Sequence, residues 1–354
     1  NMRRRDRERL QNWLLFCLLV AGAVVWMLGR TEQMAQRRQV QEQEHLGNGQ
    51  AILTDATDAS DGAEEVRSLE DWLPDVLVSE ITPTFSLEVW KAQSVLARTW
   101  LWNAVVETGR AATVTDVQKE DRLSLKELRE AGWSGDGQEW AEADTSTRRL
   151  CRMSISVTEG AILVPDSASV GSSSASAGND GASASVDGTF PPLFHLCSAG
   201  QTRDGGTQYP GLCTVDSTTD LLVTEAVSVQ FFTAEEFRNG MADILGEEVQ
   251  LEEAAAEHLS YEKDVAGYVT KLVWKRSDGI EQNIDIAVFQ KQFALSSPWF
   301  ENAPVDGQIR MTCRGIGHGY GMSQCGAAAM AQQGKTWREI LAWYFPQAKL
   351  EQTK

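Results

Sequence analysis

Apolar residues fall at helical spacing near the two ends of the chain and in short alternating runs between them. After Ser68-Leu69-Glu70-Asp71, the residues Trp72, Leu73, Val76, Leu77 and Ile81 follow a helical stripe, which predicts a helix opened by a capping box. Pro74 lies inside it and predicts a tight first turn or a kink. Thr82-Pro83 predicts its stop, because a residue before proline avoids the helical region. Ser86 predicts the cap of a second helix, with Leu87, Trp90, Ala97, Leu101 and Ala104 at near-helical spacing and Gly109 closing it. From Leu150 onward the runs shorten. Cys151 to Val157 and Ala161 to Val164 read as strands around Glu159-Gly160, and further strands are predicted at Leu221 to Phe232, Tyr268 to Trp274 and Ile284 to Phe289. Thr233 caps a short helix ending near Leu245-Gly246. Two helices close the chain: Ser323 to Gln333, ended by Gly334, and Thr336 to Tyr344, ended by Pro346. Helices at both ends around a strand-rich middle predict an α+β fold.

The first thirty residues change the picture. Arg3, Arg4, Arg5, Arg7 and Arg9 precede an uncharged apolar run from Asn12 to Gly29, with Trp13 and Trp26 near its ends. Residues 1–30 therefore read as a cytoplasmic tip and a single membrane anchor, which places the rest of the chain outside. A cleaved signal peptide is the rival, but no small-x-small cleavage site follows the run. Residues 31–65 are polar and read as a stalk, and 66–354 as one catalytic-size domain. Inside it, 165–189 is a Ser/Ala/Gly/Asp tract that reads as a flexible surface insertion. A formal net charge of −18 argues against nucleic acid as a partner.

The most distinctive local chemistry is Gly315-Ile-Gly-His318-Gly-Tyr-Gly-Met322-Ser323-Gln324-Cys325-Gly326. Alternate glycines flank His318, and the composition then switches to Ala-rich helix formers. Such a loop at the mouth of a helix lets a histidine meet a ligand at short range. Ser323 is at once a candidate substrate contact and a candidate N-cap.

Two distant segments together resemble one family. The first is Leu69-Glu-Asp-Trp72…Val78-Ser-Glu80-Ile-Thr-Pro83 continuing through Glu88, Lys91, Gln93 and Arg98-Thr99. The second is the Gly-His-Gly loop with Gly334-Lys-Thr-Trp-Arg-Glu-Ile340-Leu-Ala-Trp-Tyr344-Phe-Pro. Both resemble the SpoIID/LytB family, over roughly residues 66–350, and Phe194-His195-x-Cys197-Ser-Ala-Gly200 and Val215-Asp-Ser217 resemble it more loosely. The resemblance implies a peptidoglycan lytic transglycosylase of sporulation. Such an enzyme cuts peptide-stripped glycan strands between N-acetylmuramic acid and N-acetylglucosamine and leaves 1,6-anhydro ends. It also implies a place in the mother-cell membrane facing the septal space, during engulfment, with a SpoIIP-like amidase and a SpoIIM-like membrane protein. The alternatives are a LytB-like protein that binds wall glycan and enhances an amidase without cutting, and a pure scaffold within the engulfment complex.

By that resemblance Glu80 is the catalytic acid. Its position in the last turn of a predicted helix gives an independent reason, because the negative helix end and apolar neighbours both raise a carboxyl pKa. A hydrolase needs a second carboxylate about 5 to 9.5 Å away; a lytic enzyme manages with one, and the loop supplies none. His318, Ser323, Gln324, Gln93 and Arg98 are the expected substrate contacts, with a structural role equally open for Arg98 and Gln93. Glu88 reads as a helix-stabilising residue. Some relatives imply a structural zinc held here by His195, Cys197 and Cys213, not needed for catalysis. A Cys197–Cys213 disulfide or free thiols are the other readings. Cys325 stands where relatives carry tyrosine, and with Cys313 it is a candidate clamp on the loop.

Overall fold

The computed structural model describes residues 65–166, 188–246, 249, 256–276 and 278–353. The predicted anchor at 1–30, nearly all of the stalk and most of the 165–189 insertion lie outside them. Among the described residues no helix is long and apolar enough to cross a membrane.

The chain enters through β1 (Val66–Ser68) and α1 (Leu69–Glu80). Ser68 caps α1 by accepting from the Asp71 amide at 3.3 Å, and Glu70 and Asp71 suit the positive end of the helix. The helix runs through Pro74 without interruption, losing one backbone bond. After Thr82-Pro83 comes α2 (Leu87–Glu107), 21 residues with buried side chains on every face. A helix with no polar face belongs inside a core, and α2 is the spine on which the other helices pack. Ser86 stands at its N-cap, but its side chain makes no capping bond.

Next come β2 (Arg122–Ser124), which pairs with β1, the short helices α3 (Leu125–Glu130) and α4 (Glu139–Glu142), and α5 (Thr145–Val157). The strand predicted at Cys151 to Val157 is thus a helix. Asp144 caps it through the amides of Ser146 and Thr147. Its buried stripe is Thr147, Cys151 and Ser154, continued by Thr158 just beyond the helix end, small residues that carry no apolar signal. The strand predicted beside it is β3 (Ala161–Pro165), followed by β4 (Phe194–His195).

A second, strand-rich part follows: β5 (Val227–Thr233), α6 (Ala234–Leu245), β6 (Leu259–Lys263), β7 (Val269–Lys275), β8 (Glu281–Ile284), α7 (Ile286–Gln292), β9 (Phe300–Val305) and β10 (Gln308–Arg314). It forms two antiparallel three-stranded sheets, β5-β10-β9 and β6-β7-β8, around a core that includes Phe237, Trp274, Phe289, Phe300 and Met311. The strand predicted from Leu221 begins only at Val227, after two tight 3-10 turns. The strand predicted over Ile284 to Phe289 gives way to α7, because Asp285 accepts from the Val288 amide at 2.9 Å and starts a helix.

The chain ends with β11 (Met322–Ser323), α8 (Gln324–Gln332), α9 (Trp337–Tyr344) and β12 (Ala348–Gln352). The last strand pairs antiparallel with β3. β11 pairs in parallel with β4, Met322 opposite Phe194 and Ser323 opposite His195. Through that pairing the glycine loop between β10 and α8 reaches the C-terminal end of α1. The architecture is α+β, with helices at both ends.

Candidate active site

Glu80 is the last residue of α1, where no basic side chain offsets the negative helix end. Ile81 behind it is buried, and Glu80 itself is half-buried. The carboxyl pKa is pushed up to about 8 by loss of solvent, while a hydrogen bond from Gln93 pulls the other way. Gln93 Nε2 donates to Glu80 Oε2 at 2.9 Å. Gln324 Nε2 donates both to the Glu80 backbone oxygen at 2.9 Å and to Gln93 Oε1 at 3.2 Å. Residues 80, 93 and 324, from three helices, thus form one polar unit whose two glutamines are buried.

The carboxyl faces a cleft of about 260 Å³ walled by Leu96, Trp100, Trp133, Pro192, Leu193 and Phe194, with His318 also lining it. Among the described residues Glu80 is the only acid lining this cleft. His318 lies exposed on the loop, and its Nδ1 accepts from the Tyr320 amide at 3.0 Å. An amide nitrogen can only donate, so the neutral ring carries its proton on Nε2. Desolvation and then the Arg203 charge lower the His318 pKa and favour this neutral form, while the hydrogen bond to the Phe194 backbone raises it.

The remaining predicted contacts are not in the cleft wall. Arg98 is 1% exposed; it donates to Glu70 at 2.8 Å and to the carbonyls of Thr158 and Ala161. It is a buried, paired charge that ties α1 to the α5–β3 turn, and its expected substrate contact is corrected to a structural one. Ser323 is fully buried: it caps α8 by accepting from the Gly326 amide at 3.1 Å and donates to Asp220 Oδ2 at 2.6 Å. Gln93 and Gln324 are spent on Glu80 rather than offered to a ligand. Glu88 accepts from the Trp337 amide at 2.8 Å and so joins α2 to α9. The indoles of Trp100 and Trp133 were missed as cleft walls, since their spacing is that of ordinary core residues.

The zinc trio is not assembled. Among the described residues no group of three or more His, Cys, Asp or Glu side chains converges to hold a metal ion. His195 is buried, points Nδ1 at the Tyr320 carbonyl at 3.0 Å, and burial pushes its pKa down to about 3. The Cys197 thiol faces the Asp220 carbonyl at 3.8 Å and Cys325, whereas Cys213 sits near Asp204. Neither predicted disulfide is formed: the five described cysteines are free thiols, and Cys313 lies 3.5 Å from Ser296 Oγ.

Fold and cleft together define an α+β protein built to present one carboxyl, held near neutral pKa, beside a neutral histidine. A family model described as SpoIID, Stage II sporulation protein, matches residues 60–164, the stretch that contains Glu80, Gln93 and Arg98. Stage II sporulation protein D of Bacillus subtilis (strain 168) is 25% identical over 287 residues, covering 78% of this chain and 72% of that protein. Stage II sporulation protein D of Bacillus amyloliquefaciens is 23% identical over 286 residues, with the same shares. The chain is thus similar to SpoIID proteins of sporulation, through the family model over residues 60–164 and through these relatives over 78% of its length.

Proposed function

We propose that this protein is a membrane-anchored lytic transglycosylase that cuts peptide-stripped peptidoglycan strands during engulfment, leaving 1,6-anhydro ends. The observation that carries the reading is the Glu80 carboxyl, desolvated to a pKa of about 8 at the wall of a cleft with no second acid lining it. At neutral pH that carboxyl is mostly protonated, as a general acid must be. It gives its proton to the glycosidic oxygen as the C1–O bond breaks. The resulting carboxylate takes the proton of the sugar's own C6 hydroxyl, whose oxygen closes on C1. The acid is regenerated and no water is consumed, so a second carboxylate to activate water is not required. Gln93 and Gln324 hold the carboxyl in place, and the His318 ring lines the cleft against the bound sugar. A SpoIIP-like amidase upstream, which strips the stem peptides, and a SpoIIM-like membrane partner complete the proposal.

The test is the chemistry of the ends. The full chain incubated with peptide-free strands is expected to release anhydro-muramyl termini detectable by mass spectrometry. Reducing termini in their place sink the lytic scheme, and strand binding without any cutting favours the amidase enhancer.

Two further results are expected. The rate falls above pH 8 as Glu80 ionises. Gln93→Leu removes the donor that favours the carboxylate, so this limb moves to higher pH, while kcat drops about tenfold as the carboxyl loses its support. A pH–rate profile with an unmoved limb disproves the coupling. His318→Ala is expected to raise KM about tenfold with kcat little changed, the pattern of lost uniform binding; steady-state kinetics on defined strands decides it.

A further inference from the structure

A second hollow, larger than the Glu80 cleft, lies elsewhere in the described part. It encloses about 470 Å³ between α8, α9 and the 3-10 turn at Thr218–Leu222, within the range of about 300–1,000 Å³ typical of ligand pockets. Its rim carries Trp343, Asp216, Thr218, Gln333 and Lys335. Trp343 is 47% exposed, whereas most other tryptophans among the described residues are buried. The plane of its ring is fixed, because Nε1 donates to the Asp216 carbonyl at 2.9 Å. Lys335 pairs with Glu339 at 3.0 Å, and the Asp216 carboxylate accepts from Thr218 Oγ1 at 3.1 Å.

The floor is built for polar contact. It is made by Ser217, Gly326 and Tyr344, and a Cβ on Gly326 would stand 2.0 Å from Tyr344 Oη, 2.3 Å from Ser217 Oγ and 3.1 Å from Asp220 Oδ1. Asp220 is 1% exposed. Its Oδ2 accepts from the Ser198 amide, Ser217 Oγ and Ser323 Oγ, yet Oδ1 has no partner among the described residues. An acceptor left unsatisfied beneath a pocket floor calls for a donor from a ligand or its water.

We propose that this hollow is a second saccharide-binding subsite, taking a neutral amino-sugar ring on the face of Trp343. A fixed aromatic plate suits the apolar C–H face of a pyranose, and a rim of carboxylate, amide and hydroxyl groups suits the hydroxyl and acetamido groups of a neutral sugar. The subsite is separate from the cleft. Gln324 points to Glu80, and Gly326, two residues on, is turned by about 200° on the same helix. One strand end held at Trp343 keeps the rest of the polymer near the acid, so the subsite raises effective concentration without touching the chemistry. The inference rests on the glycan substrate proposed above.

The experiment measures binding apart from cutting. The full chain carrying Glu80→Gln is titrated by calorimetry with the β-1,4-linked N-acetylglucosamine tetrasaccharide, alone and combined with Trp343→Ala, Trp343→Phe or Ala342→Arg. Ala342 is an exposed pocket residue, so arginine there fills the hollow without disturbing the core. Binding is expected to weaken about tenfold with Trp343→Ala and with Ala342→Arg, and to be largely retained with Trp343→Phe. Unchanged affinity in both of the first two overturns the subsite, even where wild-type protein cuts strands. Weakened affinity in a protein that cuts nothing supports the subsite and removes the lytic reading instead.

Discussion

Glu80→Gln is expected to lower strand cleavage by about a thousandfold or more, while making the folded protein more stable. The loss follows from removing the proton donor, since general acid catalysis contributes about 10²–10⁴ and the anhydro ring also needs the same group as base. The replacement amide keeps the geometry, because its oxygen accepts from Gln93 Nε2 as the carboxylate does. The gain in stability follows from the direction of the pKa shift. The folded pKa of about 8 lies above the ordinary 4.5, so folding favours the protonated form. Below pH 4.5 the group is neutral in both states and costs nothing. Between 4.5 and 8 the fold must hold a proton that the unfolded chain releases, and the penalty grows with pH until it is complete above 8. Glutamine cannot ionise and escapes the penalty. With the side chain half-buried and partly screened, the relief is about 1–2 kcal/mol near pH 8, or about 3–6 °C in Tm. Thermal melts at pH 5 and pH 8 should show a small gain at the first and a larger one at the second. Equal gains at both, or undiminished cutting, contradict a desolvated acid at this position.

What the sequence alone made legible is local. Ser68 and Thr233 read as caps and are caps, and Gly246 and Gly334 end their helices in the left-handed conformation expected of them. The end of α1 was also local, since Thr82-Pro83 fixes it, and with it the electrostatic setting of Glu80. The buried face of α5 was not legible, because Thr147, Cys151 and Ser154 leave no apolar stripe at helical spacing. The hairpin between β9 and β10 had a signal that was passed over. Asp306-Gly307, both at positive φ, is the two-residue turn that a right-twisted hairpin requires. The roles of Gln93 and Gln324 were beyond any local reading. Their amides look like sugar ligands until the pairing of β11 with β4 brings α8 beneath Glu80, across 244 residues of chain. The surroundings of the cysteines lay beyond local reading for the same reason. Ligand sets depend on side-chain direction, and the backbone turns Cys197 toward Asp220 and Cys325 rather than Cys213.

That pairing also marks the position where one methyl group does the most damage. Gly321→Ala is expected to destabilise the protein by about 4 kcal/mol or more, and to reduce cutting by about a hundredfold in whatever remains folded. Gly321 has φ +70, and an added Cβ would stand 1.9 Å from the Leu193 carbonyl oxygen and 2.6 Å from its carbon. Those are backbone atoms and cannot swing aside. The same oxygen accepts from the Met322 amide at 3.0 Å, the bond that opens the β11–β4 pairing. Relieving the overlap separates the two segments, leaves buried backbone groups without partners and shifts the start of α8, hence Gln324. A displacement of about 1 Å at a catalytic group is enough for a hundredfold loss. Gly334→Ala is the internal control. Its φ of +84 is as unfavourable to alanine, but nothing lies within 4 Å of the new Cβ, so it carries only the left-handed penalty of about 1–2 kcal/mol. Urea denaturation of the two variants therefore separates strain from overlap. Equal midpoints for both mean that Gly321 and Leu193 do not touch, and then the loop, its histidine and Gln324 are not held against α1 by this contact.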